Sequence, residues 1–134
     1  MRRTGEELKQ ILEKKKLQQY LDRLAKKYAG KKILAYGTGL LAEIILDNYD
    51  LSKLNIVGFA DNKYLYQQED FRNYKTFSPD EIEKVNPDII LLVVYDNLII
   101  KEFFADYYSE IKIPMIPVIK RNFFEKIRLF FLEY

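Results

Sequence analysis

The segment Gly37-Thr38-Gly39-Leu40-Leu41-Ala42 sets two glycines and an alanine in the spacing G-x-G-x-x-A. That spacing suits the holding of a phosphate against backbone. Gly37 permits a tight turn, and Gly39 leaves no side chain in the path of a pyrophosphate. Ala42 lets the following helix lie close to a sheet. The N–H groups that open such a helix point at the anion, and the helix dipole favours it. Asp61 lies 24 residues after Gly37, near the roughly 20-residue spacing at which an acid meets ribose hydroxyls. A carboxylate there repels a 2′-phosphate, which favours NAD or a nucleoside diphosphate over NADP, although Lys63 nearby opposes that preference. The expected cofactor-binding set is Gly37, Thr38, Gly39, Leu40, Ala42, Asp61, Asn62 and Tyr95. The same residues also suit a plain strand-to-helix turn, with Asp61 capping a loop.

Other chemistry finds less support. The 134 residues include no histidine and no cysteine. The commonest general base, the commonest metal ligand and the thiolate nucleophile are therefore missing. No metal set is expected and no catalytic residue is assigned. Tyr49 and Lys53 have the Y-x-x-x-K spacing of short-chain dehydrogenases, but they fall between the first helix and second strand of the turn unit, too early for that pair. Tyr95-Asp96-Asn97 follows an apolar run and suits either a helix cap or a ligand contact. Asp80, Glu81 and Glu83 belong to a helix start. A net charge of +2 gives no basic field for a nucleic-acid partner.

These residues need elements to position them. Residues 5–28 read as a helix, with Thr4 and Glu7 in capping-box spacing and Leu8, Ile11, Leu12, Leu17, Tyr20, Leu21, Leu24 and Tyr28 at helical intervals. Lys14-Lys15-Lys16 interrupts this stripe and marks a bend or an exposed turn. The segment 1–30 is expected as a helical arm for packing or dimerisation, ahead of one domain over 31–134. Ile33–Tyr36 reads as a strand, Leu40–Tyr49 as a helix and Asn55–Ala60 as a second strand, the size of one crossover unit. A polar loop over 62–73 leads to a short strand at Tyr74–Phe77. Ser78-Pro79-Asp80-Glu81 opens a helix. Asp88–Val94 has the continuous apolar character of a strand buried on both faces. A helix from Asp96 or Asn97 to Tyr108 and a strand over Ile113–Ile119 follow, the latter at an edge because of Pro114 and Pro117. Asn122–Leu132 reads as an amphipathic helix suited to the core and a partner, or to peripheral contact with a membrane surface. The alternation predicts an α/β, single Rossmann-like domain: a parallel sheet of about five strands in order 3-2-1-4-5, helices on both faces and an N-terminal helical arm.

Residues 32–94 resemble the Rossmann-like NAD(P)- or nucleotide-binding domains of bacterial sugar-nucleotide and polysaccharide-biosynthesis proteins of the dehydratase and epimerase type. The resemblance is carried by Ile-Leu-Ala-Tyr-Gly-Thr-Gly (33–39), Ile-Val-Gly-Phe-Ala-Asp-Asn (56–62), Ser-Pro-Asp-Glu-Ile (78–82) and Pro-Asp-Ile-Ile-Leu (87–91). It implies a module that holds NAD(H) or a nucleotide sugar near glycan synthesis. Such domains usually accompany a catalytic domain, so a homo-oligomer or a partner catalytic protein is expected. The alternatives are a sugar-nucleotide oxidoreductase, an S-adenosylmethionine-dependent methyltransferase, and a vestigial domain acting as a structural partner. No leader or membrane span is legible, and the cytoplasm is the expected compartment.

Overall fold

A computed structural model of the protein describes residues 4–120; the helix expected from Asn122, with its membrane-contact alternative, lies outside them. Five parallel strands form one sheet in the order β3-β2-β1-β4-β5. They are β1 (Ile33–Tyr36), β2 (Ile56–Ala60), β3 (Thr76–Phe77), β4 (Ile89–Leu92) and β5 (Met115–Pro117). The helices are α1 (Gly5–Lys14), α2 (Leu17–Lys27), α3 (Leu40–Asn48), α4 (Ile82–Val85) and α5 (Asn97–Tyr107). Short 3-10 turns cover Asn62–Leu65 and Pro79–Glu81. The expected class, strand order and edge position of β5 are those observed.

Side-chain alternation along the strands builds two cores. Ile33 and Ala35 of β1 join Ile89 and Leu91 of β4 under α1, α2 and α3. Leu34 and Tyr36 face the other way with Ile90, Leu92, Ile82 and Phe104. The central strands β1 and β4 are buried along their whole length, which is why their sequence is a continuous apolar run rather than an alternating one.

The single helix expected over 5–28 is two. Lys16 takes a left-handed conformation, φ 52° and ψ 56°, and breaks the helix after the lysine run. The break lets Leu8 and Leu12 of α1 and Leu17, Leu21 and Leu24 of α2 all enter one core with α3. The arm thus packs on the sheet domain it precedes. Ser78 and Glu81 form the expected capping box, but on a 3-10 turn that runs into a single turn of α4. Asn86, left-handed at φ 50°, ends α4 and turns the chain toward β4.

Because Leu21 is 1% exposed, Leu21→Ala should cost about 3 kcal/mol in chemical denaturation. An arm that docks only on another molecule would leave the monomer's stability unchanged.

Candidate functional site

The glycine turn leaves β1 at the point where the strand order reverses, between β1 and β4. Ligands of open α/β sheets bind in the crevice outside the strand carboxyl ends at such a point. The two glycines of the turn have different reasons to be there. Gly37 has φ +118°, and a Cβ on it would sit 2.5 Å from the Val93 carbonyl oxygen and 2.6 Å from Val94 Cγ1. Its N–H donates to Ala60 O at 2.8 Å, and Val93 N–H donates to Tyr36 O at 2.8 Å. Gly37 is therefore demanded by the packing of Val93 and Val94, just after β4, against the turn. Gly39 is not: its φ is −90°, which any residue adopts, and a Cβ there would meet nothing within 4 Å.

Gly39 is also the N-cap residue of α3, and no side chain caps that helix. The first-turn N–H groups of a helix lack intrahelical partners, so open space and orphan donors coincide over Gly39. Leu40, half exposed, flanks this space, whereas Ala42 is fully buried and acts on helix packing alone.

Asp61 closes the other side of the turn. Its Oδ2 accepts the Thr38 N–H at 2.9 Å and the Thr38 hydroxyl at 3.0 Å. Its Oδ1 accepts the Lys63 N–H at 3.2 Å. A carboxylate has about four lone-pair sites, so one remains for a further donor. Thr38, 5% exposed, thus spends its N–H inside the protein. Any anion at this turn meets the amides that follow Thr38.

Asn62 accepts the Tyr36 hydroxyl on Oδ1 at 2.7 Å, which ties the loop after β2 to the end of β1. This pairing was hidden in the sequence, where Tyr36 reads as the last apolar residue of a strand. Tyr36 is 2% exposed and meets Phe104 edge-on at 5.2 Å between centroids. Burial first, and then the nearby Asp61 charge, raise its phenol well above the ordinary 10.0. Tyr95 packs against the core under α1 to α3. Asp96 leads into α5 without a side-chain cap. Asn97 is buried and donates to Ile119 O at 3.2 Å; it joins α5 to the exit of β5. The Tyr64 side chain is buried, and among the described residues its hydroxyl has no partner.

Among the described residues no group of three or more Asp or Glu side chains is placed to hold a metal. Nor is any described helix long and apolar enough to cross a membrane. The turn, β1 to β5 and their connecting helices all fall inside residues 29–122, which match the model of a family described as C2185-like, N-terminal. No curated protein and no solved structure matches the chain.

The Tyr36 phenol gives a prediction with a definite sign. Below pH 10.0 both folded and unfolded chains keep its proton. Above it the unfolded chain releases the proton while the folded chain holds it, so folding stability falls as pH rises. Tyr36→Phe should flatten that fall in denaturation series between about pH 9 and 11. An identical slope in both proteins would show that Tyr36 ionises normally.

Proposed function

Starting from a chain that belongs to the C2185-like N-terminal family, we propose a nucleotide-binding Rossmann-like module. Its ligand is NAD(H) or a nucleotide sugar, and its setting is bacterial sugar-nucleotide or polysaccharide metabolism. It acts as a homo-oligomer or beside a partner catalytic protein. The observation that carries this is Gly39. Neither its backbone conformation nor its packing requires glycine, and the missing side chain leaves room over the uncapped N-terminus of α3. A pyrophosphate approaching that helix is the chemical reason for a glycine there. Asp61 keeps one acceptor site toward a ribose hydroxyl, so it supports one contact and not a two-hydroxyl clasp.

The three hydrogen bonds on Asp61 also favour a second reading. A turn whose Thr38 donors are already satisfied by its own acid is stable without a ligand. Such a domain serves as an interaction partner with a vestigial site.

The two separate in a thermal-shift panel of NAD, NADH, NADP, S-adenosylmethionine, coenzyme A, UDP-sugars and GDP-sugars. A ligand at a hundredfold its Kd adds about 2.7 kcal/mol to the folded state, roughly 5–10 °C in Tm for a domain of this size. Gly39→Val should lower the unliganded Tm by no more than about 5 °C, since its Cβ meets nothing and valine is poorer than glycine at a helix N-cap by about 1 kcal/mol, and should abolish the ligand shift. No shift with any of these at millimolar concentration would replace nucleotide binding by the interaction role.

A further inference from the structure

A concavity lies away from the glycine turn, where α2 and the start of α5 meet the edge strand β5. It encloses about 480 Å3, within the size range of small-molecule sites. None of Gly37, Thr38, Gly39 or Asp61 lines it. Its floor is apolar: Leu24 and Ile119 are buried, and Ile116 and Pro117 are partly so. The rings of Tyr20 and Tyr28 add flat surface to the wall.

The rim is cationic. Arg23, Lys27, Lys101 and Lys120 all line the cavity and all are exposed, and among the described residues no Asp or Glu lines it. In a chain of 22 basic and 20 acidic residues, four cations with no lining carboxylate are a segregated set. No ion pair engages any of the four among the described residues. Arg23 lies over the Tyr20 ring at 5.9 Å and Lys27 over the Tyr28 ring at 5.4 Å, contacts that hold both cations beside the opening.

The walls are tied together rather than merely adjacent. The Tyr20 hydroxyl donates to Pro117 O at 2.8 Å, joining α2 to β5. Asn97 joins α5 to Ile119. Lys15 Nζ donates to Lys120 O at 2.8 Å and fixes the chain as it leaves the cavity. A preformed site loses less freedom on binding.

We propose that this cavity binds a small organic phosphate. The flat apolar body of the ligand lies on the Leu24, Ile116 and Ile119 floor, and its phosphate sits among Arg23, Lys27, Lys101 and Lys120. The guanidinium fork of Arg23 suits phosphate oxygens, and the three ammonium groups supply point charges around it. A neutral apolar ligand would leave those charges unused, and inorganic phosphate would leave the floor uncovered. This assignment is independent of the function given to the glycine turn.

The test is isothermal titration calorimetry of the full chain with 1-naphthyl phosphate at low salt, with inorganic phosphate and 1-naphthol as comparators. Saturable binding is expected, tighter than either comparator and weakened by added salt. The pair Arg23→Gln and Lys101→Gln should weaken it at least about tenfold, a loss of about 1.4 kcal/mol. Lys101→Arg should retain it, which separates loss of charge from loss of fold. Gly39→Val should also leave it unchanged, so failure here is distinct from failure at the turn. Absence of saturation by about 5 mM, a weak-binding limit near 3 kcal/mol, would overturn the proposal. Equal affinity in the double variant, equal binding of 1-naphthol, or loss in Gly39→Val would do the same.

Discussion

There is no room for a side chain where β1 meets the turn. A Cβ at Gly37 would lie 2.5 Å from the Val93 carbonyl, closer than packed atoms come. The chain must leave the strand with positive φ, and that fixes the direction in which Thr38 emerges. Asp61 then takes both the N–H and the hydroxyl of Thr38. Through those bonds the end of β2 holds the exit of β1, and the start of α3 is set by both. The Tyr36 hydroxyl, donating to Asn62, ties the same two strand ends a second time. The local order of the turn is thus fixed by the protein's own groups, and only the space over Gly39 is left unclaimed. That division makes Gly37 a residue of the fold and Gly39 the residue on which the proposed site rests.

Much of this frame was legible in the sequence, for local reasons. Strands buried on both faces must be apolar throughout, so β1 and β4 announced themselves as runs bounded by lysine, proline, aspartate or glycine. The Ser78-Pro79-Asp80-Glu81 signature named a helical start, because a capping box needs only residues three apart. The strand order followed from alternation and the handedness of crossovers. The break in the N-terminal arm was marked by Lys14-Lys15-Lys16, but its conformation at Lys16 depends on two helices reaching one core.

The remainder was hidden because it joins residues distant in the chain. The spacing from Gly37 to Asp61 suits an acid facing ribose and an acid facing Thr38 equally well; only the three-dimensional arrangement shows three of its acceptor sites in use. Tyr36 carried no polar signal inside an apolar strand, yet its hydroxyl needs Asn62. The cavity beside β5 draws its cations from α2, α5 and the chain after β5. At positions 23, 27, 101 and 120 they read one by one as ordinary surface charges.

The claim that Gly39 leaves room for a nucleotide phosphate is tested most directly by amide NMR during titration with NADH and with a UDP-sugar. The account predicts that the Gly39, Leu40 and Leu41 amides move in a saturable way. The Thr38 amide, already bonded to Asp61, should move little. Saturable binding that leaves those three amides unmoved, or no binding by either ligand, would contradict it.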